Sequence, residues 1–282
     1  MSARKPNKLV AIDLDGTLIT HRGEVAEADR QAIAAMRARG VHVTLCTGRL
    51  YSGTRPTAHH VGITGPIACI DGSQIVDCTT DRPLYDHTVR GDHIEHLRSA
   101  LSPKEVACFL FANDEIGHDD NGEMFLPYVR LWSTKLKPHH SMDEHPHWDH
   151  PDGVSEVVCV GAEHSIRETV SRILAKLEHH VQVASFPVKR SDGHVWGMVA
   201  RAAGPTKGTA IEWLAKFHGC SVDDVIVIGD WLNDIPMFEV AGRSFAMGQA
   251  PEQVKAKATD VLEATAYEGG GVAEAAKKAG LL

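Results

Sequence analysis

Across residues 1–83 short apolar runs alternate with longer stretches rich in helix formers, and the same alternation returns over residues 202–282. Residues 9–13 read as a strand, 24–39 as an alanine-rich helix stopped by Gly40, and 41–46 as a second strand. A helix after Ser52 and a strand over 67–70 follow. Near the other end, the pattern predicts a helix over 207–218, an apolar strand over 225–229, a helix over 233–241 closed by Gly242, and a short strand over 244–247. Strands alternating with helices are the mark of βαβ units and a parallel sheet, so both ends of the chain are expected to build one sheet. Residues 84–201 read differently, with strands over 104–112, 155–161, 181–186 and 195–200 and a helix over 165–179. The expected architecture is therefore α/β, with a Rossmann-like parallel-sheet core from residues 1–83 plus 202–282 and an inserted α+β domain over 84–201.

At 282 residues the chain is long enough for two domains that bury their cores without covalent staples. Charged residues at 23% and apolar ones at 43% exclude disorder and fibrous repeats. The net charge of −8 argues against nucleic acid as a partner. Six isolated cysteines, without a C-x-x-C pair, fit a reduced cytoplasm better than a disulfide framework or a zinc site. The apolar run from Leu9 is interrupted by Asp13 and Asp15, too soon for a signal peptide or a membrane span.

Chemistry gathers at the strand ends. Asp13-Leu14-Asp15-Gly16-Thr17 closes the first strand, and alternation along an extended chain would turn Asp13 and Asp15 to the same side, beyond the strand's carboxyl end. Crowded carboxylates repel, which favours a cation beside them or a raised pKa. Thr47-Gly48-Arg49 ends the second strand with a hydroxyl that can donate to a phosphoryl oxygen, although Thr-Gly is also ordinary turn chemistry. Lys207 stands at a helix start, where a cation is disfavoured unless an anion is near. The apolar strand over 225–229 runs into Asp230, Asn233 and Asp234, where Asp230 offers a hard oxygen ligand of the kind Mg²⁺ takes with substrate phosphate. Asn233 and Asp234 also read as a helix cap and first turn.

In that order, Asp13, Asp15, Thr47, Lys207, Asp230 and Asp234 resemble the haloacid dehalogenase superfamily of phosphohydrolases. The tail after Asp234, with Phe245-Ala-Met-Gly248, looks like the Cof-type branch, as does an insertion of more than a hundred residues between Thr47 and Lys207, which that branch uses as a cap of the second (C2) structural class. The resemblance implies that Asp13 is the nucleophile and that Asp15 first protonates the leaving oxygen and then activates water. It also implies that Thr47, Gly48, Lys207 and Asn233 hold the phosphoryl group, and that Asp13, Asp15 through its carbonyl, Asp230 and Asp234 serve Mg²⁺. A cytoplasmic, Mg²⁺-dependent phosphatase of small phosphate esters, sugar phosphates first among them, is the expected activity. No nucleic-acid or membrane partner is expected, and the chain is expected to be a monomer or a weak homodimer. A phosphomutase of the same branch and a non-catalytic phosphometabolite sensor remain open.

Two features depart from this pattern or stand outside it. At Ile70-Asp71-Gly72 the branch usually carries Asn before Gly, and a carboxylate beside a phosphate must turn away, be neutralised by a basic neighbour such as Arg49, or make a different substrate contact, of which the second is expected. The histidine-rich tract over 138–151 invites a metal-binding reading, but its prolines and the lack of helical His spacing point to a mobile surface loop.

Overall fold

The computed structural model describes residues 8–101, 105–190 and 193–282. Two compact units are formed, one from residues up to Gly48 together with Arg55–Asp86 and Pro205–Leu282, the other from Arg49–Thr54 and His87–Gly204.

The first unit is built on a five-stranded parallel sheet ordered Asp260–Val261, Arg243–Ala246, Val225–Gly229, Leu9–Ile12, His42–Leu45. Val225–Gly229 and Leu9–Ile12 are buried at every position, as unbroken apolar runs in the middle of a covered parallel sheet should be. The register sets Ile12 level with both Ile228 and Leu45. The residues after these three strands therefore leave from the same edge of the sheet, which is where ligands bind in open α/β folds. Ile211 and Leu214 of the Lys207–His218 helix pack with Leu9, Ala11, Val225 and Val227 in the core beneath.

Two expected helices are shorter than the pattern suggested. The first spans Glu27–Ala38, because Val25 pairs with Ile19 and the Glu24 carbonyl accepts from the Thr20 N–H. The other starts as a tight turn over Leu232–Asp234 and continues as Ile235–Val240, with Pro236 supplying a first-turn residue that needs no N–H partner.

The second unit carries a six-stranded sheet ordered Val181–Arg190, Gly193–Ala202, Glu156–Gly161, Ala107–Ala112, Glu115–His118, Leu136–Pro138. The strand expected over 104–112 begins at Lys104, which lies outside the described residues. Helices Asp92–Ala100 and Glu163–Leu177 lie in the same unit. The tract over 138–151 lies at the surface but is anchored: His145 and Trp148 are almost fully buried, the Trp148 indole N–H donates to the Met142 carbonyl, and His145 caps the short Pro146–Asp149 turn. His139, His145 and His150 spend ring nitrogens on backbone groups, His145 through both, while His140 pairs with the Glu144 carboxylate. All six cysteines are free thiols. Among the described residues, no helix is long and apolar enough to cross a membrane.

Candidate active site

Asp13 follows Ile12 directly, and its N–H donates to the Ile228 carbonyl at 2.9 Å, so the neighbouring strand fixes where its side chain begins. Asp230 leaves the same edge from Gly229. Lys207 is the first residue of its helix, set by a capping box in which the Thr209 N–H donates to Thr206 Oγ1 and the Thr209 hydroxyl accepts from the Thr206 N–H. Its ammonium donates to Asp13 Oδ1 at 2.5 Å and to Asp234 Oδ1 at 2.6 Å, and its side chain is wholly buried. The other Asp234 oxygen accepts from the N–H groups of Asp230 and Trp231 at 2.8 and 2.9 Å. By accepting from the Trp231 N–H, the Asp234 side chain caps the start of the Leu232–Asp234 turn, the helix-start role expected of it, and through Asp230 it also ties down the loop behind.

Asp230 is held from two sides. Thr17 Oγ1 donates to one of its oxygens at 3.1 Å, and Gln249 Nε2 donates to the other at 3.3 Å as well as to the Gly16 carbonyl at 2.7 Å. Gly16 has φ +83°, and any Cβ there would collide with the Asp230 carboxylate, so glycine is required both for the turn and for the approach. Thr17 belongs to the string that marked the site, but its role as donor was not foreseen. Gln249 carried no signal at all, since a polar residue in a loop has no period to betray it.

Carboxylate oxygens of Asp13, Asp230 and Asp234 lie within 4.8 Å of one another. Burial pushes the Asp13 carboxyl well above the ordinary range, with Asp234 and Asp230 adding to the push and Lys207 opposing it. Burial also raises Asp230, helped by Asp234, to about 7. For Lys207 burial works against the charge, but Asp13, Asp234 and Asp71 outweigh it and hold the ammonium protonated. Three acidic groups thus share one cation, an arrangement short of positive charge that a metal ion can complete. The donors are all oxygen, which suits a hard divalent ion.

Asp15 stands outside this group, with an exposed side chain. The strand stops at Ile12, so Asp13 and Asp15 are not neighbours on one face of an extended segment as the alternation argument supposed. Thr47 is buried just past the second strand, its N–H donating to the Ala68 carbonyl and its carbonyl accepting from the Asp71 N–H. Asn233 is half-buried, and its Nδ2 donates to Asp71 Oδ1 at 2.8 Å. A Cβ on Gly48 would lie 3.3 Å from that same Asp71 oxygen. Lys207, Asp230 and Asp234 thus meet Asp13, while Gly48 and Asn233 meet at Asp71.

The family model for haloacid dehalogenase-like hydrolases matches residues 10–275. A 5-amino-6-(5-phospho-D-ribitylamino)uracil phosphatase, YwtE of Bacillus subtilis (strain 168), is 26% identical over 93% of this chain and 95% of its own length. Among solved structures, a haloacid dehalogenase-like hydrolase from Bacteroides thetaiotaomicron aligns with a TM-score of 0.82 at 22% identity, covering 97% of this chain and 99% of that one. The subclass IIB sugar phosphatase BT4131 aligns with a TM-score of 0.73 at 19% identity, covering 98% and 100%.

Proposed function

The chain belongs to the haloacid dehalogenase-like hydrolases, in the Cof-type branch, and is a phosphoric monoester hydrolase; from that premise we propose a Mg²⁺-dependent sugar phosphatase that carries the phosphoryl group on Asp13. The observation that carries this reading is Lys207 bridging Asp13 and Asp234 from positions 194 and 27 residues away. A buried ionic cluster is less stabilising than apolar packing of the same volume, so its presence at the ligand-binding edge of the sheet points to chemistry.

Phosphate monoesters hydrolyse very slowly unaided, and catalysis rests on positioning and on positive charge around the transferring oxygens. An Asp13 oxygen attacks phosphorus while the ester oxygen leaves with a proton from Asp15. Water then attacks the phosphorus, gives its proton to the Asp15 carboxylate, and displaces the Asp13 oxygen as inorganic phosphate forms. Lys207, the Thr47 hydroxyl and the Asn233 amide hold the phosphoryl oxygens, with Gly48 leaving room for them. The residues that would hold Mg²⁺ are Asp13, Asp230 and the Asp15 carbonyl, with Asp234 behind them. When bound, the ion supplies charge that offsets both the crowded carboxylates and the incoming phosphate. Residues 84–201 are read as the cap domain, which in this branch selects the leaving group. YwtE is a phosphatase of a phosphorylated ribitylamino compound and BT4131 a sugar phosphatase, and both activities favour a polyhydroxylated leaving group here.

The test is release of free phosphate from a panel of sugar phosphates, nucleotides and cofactor phosphates, without a bisphosphate activator. Sugar phosphates are expected to be turned over with Mg²⁺, with activity lost on chelation and in Asp13→Asn. Release that survives Asp13→Asn contradicts the reading, and a requirement for bisphosphate reassigns the protein as a mutase.

A further inference from the structure

The residue that departs from the branch pattern joins two parts of the site. Asp71 sits in a turn where Ile70, Asp71 and Gly72 have φ values of +50°, +48° and +96°. A β-branched residue in the left-handed region is strained and persists only when its surroundings fix it. Here the Asp71 N–H donates to the Thr47 carbonyl at 2.9 Å, and Gly72 packs so closely on the Thr206 carbonyl that a Cβ would collide with it. The turn is thus clamped between the end of the second strand and the cap of the Lys207 helix. Its buried carboxylate accepts from Asn233 Nδ2 at 2.8 Å and lies against Gly48.

A carboxylate has no hydrogen to give. Facing Asp71 Oδ1, the Asn233 side chain must therefore present its NH₂ end, whereas an Asn at position 71 could donate or accept and would permit either orientation of the Asn233 amide. We propose that Asp71 is a positioning residue that locks the Asn233 amide in one of its two flip states, leaving the remaining Nδ2–H as the donor for a phosphoryl oxygen. The repulsion between this carboxylate and the phosphate is the cost of that order, and Lys207, whose charge Asp71 helps to hold, offsets it. The inference rests on the phosphatase reading, and the two fail separately: turnover surviving Asp13→Asn removes the reading, whereas the variants below, in an enzyme that does depend on Asp13, remove only the role of Asp71.

Steady-state kinetics of Asp71→Asn, Asn233→Ala and the double variant test it. Asp71→Asn is expected to lower kcat about tenfold, the equivalent of one charge-assisted hydrogen bond. KM should be unchanged or lower, because a negative charge has left the phosphate's surroundings. Asn233→Ala should lose a similar factor, and the double variant no more than the larger single loss, since the two residues act as one unit. Should Asp71→Asn fold poorly, Asp71→Ser and the amide proton shifts of the Asn233 side chain in the wild type provide the same readout. Turnover at or above the wild-type rate in Asp71→Asn, or single losses that multiply in the double variant, overturns the proposal.

Discussion

Lys207 is the residue on which the site's electrostatics turn. Its ammonium faces two buried carboxylates, and removing one partner of a buried ionic cluster leaves the others uncompensated. Lys207→Met is therefore expected to destabilise the metal-free protein by about 3–5 kcal/mol, measured by denaturant unfolding. Asp13→Asn should act in the opposite direction at pH 8. The folded-state pKa of Asp13 is raised, so its ionised form costs stability above the ordinary carboxylate range, and a neutral isostere relieves that cost. If Lys207→Met unfolds at the wild-type denaturant concentration, the cluster is not the ionic unit described here. Lys207 was legible in the sequence because a cation at a helix start needs an anion to explain it. Thr17 and Gln249 were not, because their roles depend on where Asp230 arrives from more than two hundred positions away.

Among the elements, the fully buried strands of the parallel sheet were the most legible, since unbroken apolar runs have few other places to go. Less so were Asp92–Ala100 and Leu136–Pro138, which are short and partly exposed, and Glu115–His118, whose four residues are too few to show a period. The histidine tract was legible only in part: many of its residues are exposed, as a surface loop should be, but Met142 and Trp148 reach into the unit's core and His145 is held by the Lys137 carbonyl, contacts that no periodicity announces. Histidine also marks one end of the helix that carries Lys207. His218 closes the Lys207–His218 helix and stacks on His42 at 4.2 Å, at the start of the second strand. Burial, with His42 adding to it, lowers the His218 pKa from 6.5 to about 4. The unfolded chain therefore takes up this proton first: the contact's contribution is complete above pH 6.5 and is lost as pH falls toward 4. Thermal unfolding followed from pH 7 to pH 4 should decline less steeply in His218→Gln than in the wild type. Parallel declines would show that His218 is not buried in its neutral form.

For the whole molecule, the site exists because residues from both ends of the chain share one sheet edge. Register between Leu9–Ile12 and Val225–Gly229 places Asp13 and Asp230 side by side, and the helix that follows the inserted segment delivers Lys207 from below. That long-range meeting could be anticipated from the alternation of strands and helices at each end, whereas the identity of the leaving group could not, because no motif in residues 84–201 points to one. The central claim is that a phosphoryl group resides on Asp13 during turnover, and acid quenching followed by peptide mass spectrometry tests it most directly. With a sugar phosphate and Mg²⁺, the wild type quenched during turnover should carry one phosphoryl group on the peptide containing Asp13. Phosphorylation of a different residue, or phosphate production by Asp13→Asn at the wild-type rate, would contradict the account.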